Sequence, residues 1–240
     1  MREHRINLLG APLDLLSMAQ TVARAEVAMK TAQRLQLAVV NVVKLVRMRS
    51  DAELRQDVME SDMVNIDGIG VYWAARLLGH HPPGRVPGID LMDALIALCA
   101  EKGYRPYFLG ARQEVLDIAM TKFLDRYPDL QIAGSRNGYF SQAEEDRVVA
   151  DIRNAGAHCL FVAISSPLKE RFLHQHRDQL GVPFLMGVGG SLDVFAGKVQ
   201  RAPVWVRQMG GEWLYRLCQE PRRMWRRYLV TNTIFFPYAG

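Results

Sequence analysis

Asp67 follows a short apolar run and precedes Gly68-Ile69-Gly70, so a carboxylate stands where a strand would give way to a helix. Such an acid can take a proton from a sugar hydroxyl as a general base. It can equally be a cap that only satisfies helix amides. Arg85 is the one cation, besides two histidines, in the Gly/Pro-rich loop GHHPPGRVPGID (79–90). A loop arginine can grip a phosphate with both arms of its guanidinium, or it can simply be solvated. FLGARQEV (108–115) and GVGG (187–190) are glycine turns after apolar runs, where backbone amides can approach phosphate or nucleobase oxygens. Ser165-Ser166-Pro167 can position a polar ligand or cap the helix that follows. Neither glycine turn is G-x-G-x-x-G, and no Walker lysine motif occurs. There is also no D-x-D, so a sugar transferase built on this chain must neutralise a diphosphate with Arg, Lys or helix dipoles.

The elements that carry these residues alternate. Runs at 36–41, 62–66, 105–110, 130–134, 158–164 and 183–190 are almost continuously apolar, as strands covered on both faces are. Helical patterns at 50–60, 90–102, 112–127, 141–154 and 169–180 separate them, with Ser50 and Asp90 as expected N-caps and Ser141/Glu144 as a capping box. The order predicts an α/β fold: a Rossmann-like, mostly parallel sheet with helices on both faces. INLLGAPLD, near the N-terminus, reads as a first strand. Ligands of such sheets bind beyond the carboxyl ends of the strands, which is where Asn41, Asp67, Gly110, Ser166 and Gly187–Gly190 fall.

Between Arg201 and Arg227 stand seven arginines, two glutamates and three of the four tryptophans; the rest of the chain carries 23 basic and 23 acidic residues. The formal charge of +5 therefore belongs to the C-terminal segment of a neutral body. Arginine beside tryptophan suits an anionic lipid surface or a diphosphate. A nucleic-acid binder would spread its cations over the body as well, so no nucleic acid is expected. The expected division is a catalytic domain over 1–200 and a basic helical appendage over 201–240. Three scattered cysteines fit a reducing compartment and no disulfide framework. His174 and His176 do not share a helix face, and no metal site is expected. MREHRINLLGAPLDLLSMAQ lacks a signal-peptide core, and no apolar run approaches the ~20 residues of a spanning helix. The expected location is cytoplasmic, with any membrane contact peripheral.

Several linked strings then point one way: DGIGV (67–71), RVPGIDLMDAL (85–95), YFLGARQEVL (107–116), NGYF (137–140), GVGGSLDVFAGKVQRAP (187–203) and EWLYRLCQEPRR (212–223). In this order the chain resembles the WecG/TagA/CpsF family of bacterial glycosyltransferases. The resemblance implies an inverting, metal-independent transferase without a cofactor. It would move a hexose or N-acetylhexosamine from a UDP-sugar donor to a polyprenyl-diphosphate-linked sugar at the inner membrane face. By position it makes Asp67 the catalytic base, with Arg85 beside it. It places Asn41 and Gly68 in the same pocket and Gly187, Gly189, Gly190 and Asp193 on the nucleotide side. Gly110, Ser166 and Glu170 complete the expected substrate contacts. Arg216, Arg222, Arg223, Arg226 and Arg227 would meet the lipid diphosphate and the membrane. A homo-oligomer is compatible with this.

The chain departs from the family pattern at SSPLKE (165–170), where Leu168 and Lys169 replace Lys-Gln, and at Val39, which replaces a threonine. Lys169 is expected to add a cation near the donor phosphate. Two rival readings are a non-catalytic basic adaptor and a nucleotide-cofactor Rossmann enzyme. The first leaves the gathering of Asp67, Arg85 and glycines at strand ends without a purpose. The second lacks its glycine fingerprint.

Overall fold

The structure, a computed structural model, describes residues 5–219 and 221. In chain order its elements are β1 (Arg5–Leu8), β2 (Ala11–Asp14), α1 (Met18–Thr31), β3 (Leu35–Val40), α2 (Val42–Ser50), α3 (Ala52–Met59), β4 (Met63–Ile66), α4 (Ile69–Leu77) and α5 (Gly88–Lys102). Then come β5 (Pro106–Gly110), α6 (Gln113–Arg126), β6 (Gly134–Arg136), α7 (Glu145–Asn154), β7 (Cys159–Ala163), α8 (Leu168–His176), β8 (Phe184–Gly187), α9 (Ser191–Phe195), α10 (Val204–Gln208) and α11 (Glu212–Gln219).

Six strands form one parallel sheet in the order β4-β3-β8-β7-β5-β6. Alternate side chains feed opposite faces. Phe108, Phe161 and Met186 pack under α1, α5, α6 and α9. Leu109, Leu160 and Leu185 pack under α7 and α8, while Ala38, Val40 and Val64 pack under α2, α3 and α4. This is the Rossmann-like α/β architecture that the apolar runs predict. Cys99 and Cys159, 60 residues apart, meet in the core as free thiols 3.6 Å apart.

Four local expectations are corrected. INLLGAPLD is not one strand but the antiparallel hairpin β1–β2, turned at Leu9 and Gly10, both with positive φ. Its Asp14 accepts from the β4 amide of Val64 and pairs with Arg5, so the hairpin covers the sheet edge. The cap of α3 is Asp51, whose side chain accepts from Leu54 N, and Ser50 ends α2 instead. The sixth strand begins at Gly134 rather than ending there. Asp90 is not an N-cap: α5 starts at Gly88 behind Pro87, leaving Asp90 in the first turn. The Ser141/Glu144 capping box is present.

Candidate active site

All six strands run the same way, but the connections change face between β3 and β8. The chain leaves β3 into α2 on one face and leaves β8 into α9 on the other, which opens a crevice at the strand ends. Asn41 follows β3 and caps α2, its Oδ1 accepting from Lys44 N at 3.0 Å. Its amide nitrogen points at Asp67 Oδ2, 3.4 Å away. Asp67 itself follows β4, its own amide bonded to Val40 O at 2.9 Å. The parallel pairing of Val40 with Ile66 is what brings the two side chains together. Gly68 eases this closeness, because a Cβ there would sit 3.0 Å from Asn41 Cβ.

Asp67 does not cap its own helix. The N-cap of α4 is Gly68, without a side-chain bond. Asp67 Oδ1 instead accepts from Gly88 N, the first residue of α5, at 2.9 Å. One carboxylate oxygen is thus fixed, and the other faces Asn41. Val39 packs its side chain toward Gly88, with Cγ2 3.5 Å from where a Cβ would stand.

Arg85 lies half-buried in the same loop and donates from Nη2 to the carbonyl of Arg207 at 2.9 Å. Arg207 and, with it, Arg201 bring the C-terminal segment to this side, and neither is among the arginines that the sequence predicts to meet a ligand. Arg201 forms a two-armed bond to Asp90 at 2.6 and 2.7 Å. No local pattern could announce a pair 111 residues apart. Arg216 lies in α11, but its side chain is outside the described residues, as are Arg222, Arg223, Arg226 and Arg227.

Across the crevice, Gly189 and Gly190 form the turn after β8, with Asp193 in the first turn of α9. Ser166 follows β7, its carbonyl accepting from Arg47 Nη1. From the end of β4 to the end of β5 there are four interstrand steps, about 19 Å at ~4.8 Å each, room for an elongated ligand. Gly110 closes that far end with φ +131°, and a Cβ there would stand 2.4 Å from the Ala163 backbone. Gly110→Ala is therefore expected to cost at least ~2 kcal/mol of stability, through backbone strain and overpacking. A urea titration followed by circular dichroism measures it.

Lys169, expected near the donor phosphate, lies beside the end of β8. It is buried, its chain lies over Gly187, and its ammonium stands 2.8 Å from Glu170 Oε1. The same oxygen meets Lys44 Nζ at 2.7 Å, and Lys44 also donates to Val39 O at 2.7 Å. Lys169 and Glu170 thus belong to a buried ion cluster with Lys44. Lys44 was missed because in VVKLVRMRS it looks like a surface cation. Among the described residues, no three His, Cys, Asp or Glu side chains gather as metal ligands.

An open parallel sheet with a held carboxylate and glycine turns around the point where its connections change face defines a Rossmann-like α/β protein with its ligand crevice at the strand ends. Residues 6–239 match the Glycosyl transferase WecG/TagA/CpsF family, and the chain belongs to it; it is a glycosyltransferase. It is similar to the N-acetylglucosaminyldiphosphoundecaprenol N-acetyl-beta-D-mannosaminyltransferase of Bacillus subtilis (strain 168). The two are 35% identical over 174 residues, which cover 72% of this chain and 67% of that protein.

Proposed function

We propose that the protein transfers a hexose or N-acetylhexosamine from a UDP-sugar to a polyprenyl-diphosphate-linked sugar, with inversion and without a metal ion, in cell-surface polysaccharide synthesis. The observation that carries this reading is the Asp67 carboxylate, pinned by the Gly88 amide and facing Asn41 across from the glycine turn of β8. The name of the Bacillus relative, with a diphosphoundecaprenol-linked acceptor, supports the acceptor class.

The reaction is a single displacement. The acceptor hydroxyl oxygen attacks the anomeric carbon from the face opposite UDP and gives its proton to Asp67. The anomeric carbon–oxygen bond breaks, and its electron pair leaves on the β-phosphate. Backbone amides of the Gly187–Gly190 turn and arginines stabilise that growing charge. Arg85 positions the acceptor side, and Asn41 orients the base. Gly68, Gly110, Ser166 and Asp193 shape the walls of the donor crevice.

Residues 1–200 act as the catalytic domain and 201–240 as the appendage that meets an anionic membrane from the cytoplasmic side. Exposed Trp205, Met209 and Trp213 support a lipid-facing surface there. No helix among the described residues is long and apolar enough to cross a membrane.

The test is UDP release across a panel of UDP-sugars, with a short-chain polyprenyl-diphosphate sugar as acceptor and with or without EDTA. Acceptor-dependent release that is indifferent to EDTA supports the reading. Release abolished by EDTA overturns the metal-free step, and no release with any donor overturns the donor class. Truncation after Gln219 removes Arg222, Arg223, Arg226 and Arg227. It is expected to weaken sedimentation with phosphatidylglycerol vesicles about tenfold or more, at roughly 1 kcal/mol per basic residue. Undiminished binding would end the appendage assignment.

A further inference from the structure

Asp90 sits in the first turn of α5 yet spends its carboxylate elsewhere. Both oxygens go to Arg201, at 2.6 and 2.7 Å, and Arg207 Nη1 stands 3.5 Å from Oδ1. Beyond α10, Glu212 Oε1 flanks the same guanidinium at 3.9 Å. Besides the Gly88 bond to Asp67, residues 85–90 are tied at Arg85, Val86 and Asp90. Val86 N bonds to Ile66 O at 2.7 Å, in the sheet. The other two ties, Arg85 to Arg207 O and Asp90 to Arg201, both lead into the segment that follows the catalytic fold. Between these ties lies Gly88, whose amide holds Asp67.

We infer that Asp90 is a positioning residue for sugar transfer: its paired bond to Arg201 seats the start of α5 so that the Gly88 amide aims Asp67 at the acceptor. This rests on Asp67 being the base. A two-armed guanidinium–carboxylate pair fixes orientation as well as distance, which a single contact does not. Asp67 reaches α5 through one hydrogen bond, so a small shift of α5 moves the base directly. A displacement of about 1 Å at a reacting group can cost about a hundredfold in rate. The C-terminal segment then governs the geometry of the base as well as any lipid contact.

The experiment uses the full chain and the UDP-release assay. Asp90→Asn and Arg201→Gln are each expected to lower kcat by about ten- to a hundredfold, with the donor KM within about twofold. The double variant should be no slower than the worse single one, and Asp90→Glu should recover part of the loss. In an Asp67→Ala background, Asp90→Asn should leave the residual rate unchanged, because its effect runs through Asp67. An unchanged kcat in Asp90→Asn, or an equal loss in the Asp67→Ala background, overturns the inference. If Asp90→Asn does not fold, as judged by its circular dichroism spectrum, Arg201→Lys keeps the charge without the fork and carries the same expectation and the same refutation. The two readings fail differently. Asp67→Ala at near wild-type rate removes the base itself. A nearly inactive Asp67→Ala beside a fully active Asp90→Asn removes only the positioning role.

Discussion

Asp67→Asn is expected to lower kcat by about 10²- to 10⁴-fold, the usual contribution of one positioned base. The substitution is nearly isosteric. Asn Oδ1 can still accept from Gly88 N, so the bond that ties β4 to α5 persists. What is lost is the second oxygen, the one facing Asn41 at 3.4 Å, and with it the place where a proton can go. Donor KM should change little, because an interaction realised only as the acceptor hydroxyl deprotonates belongs to the transition state. The thermal midpoint should stay within a few degrees of wild type. UDP release at saturating donor measures the effect, with circular dichroism as the control. Turnover within about threefold of wild type would remove Asp67 from the role, and the catalytic reading of the whole crevice with it.

The parts of this site legible in the sequence share one property: their placement follows from local pattern plus parallel pairing. Asn41 and Asp67 each end an apolar run, and neighbouring parallel strands put such ends side by side. The sheet was legible for the same reason, since strands buried on both faces leave unbroken apolar strings. The hairpin β1–β2 was not, because its turn rests on a positive φ at Leu9, which no leucine advertises. Helix α1 stands outside the predicted alternation, although its Ser17/Gln20 capping box is present in the sequence. The bond from Gly88 to Asp67 joins two loops through space, and the Asp90–Arg201 pair joins two ends of the chain. Spacing along a sequence carries no trace of either. Asp90 has the pattern of a cap because its partner Arg201 lies 111 residues away and leaves no mark beside it.

The same hidden pairing sets the largest stability effect. Glu170 is buried between Lys44 and Lys169, at 2.7 and 2.8 Å from their ammonium groups. Burial alone would push its carboxyl up, but Lys44 and then Lys169 outweigh burial and bring it down from 4.5 to about 2. Glu170→Gln removes the carboxylate that both ammonium groups meet and leaves them buried beside an amide. The expected loss is about 3–5 kcal/mol, the cost of breaking a buried ion pair from one side. Adding Lys44→Met to Glu170→Gln should restore part of it, because one of the stranded charges goes; a fully additive double variant would refute the coupling. The wild-type protein should show the same link as a pH dependence. A carboxyl with a depressed folded pKa stabilises the fold above its ordinary 4.5, and that contribution is lost as pH falls from about 4.5 through about 2. Urea midpoints across this window should drop steeply for wild type and less for Glu170→Gln. Equal slopes would show that the acid lability arises elsewhere. Lys44 also holds the carbonyl of Val39, two residues before Asn41, so loss of the cluster should loosen the Asn41 end of β3 before the far end of the sheet. Faster amide exchange at Val40 and Asn41 than at Phe108 and Leu109 in the Glu170→Gln variant would record that order.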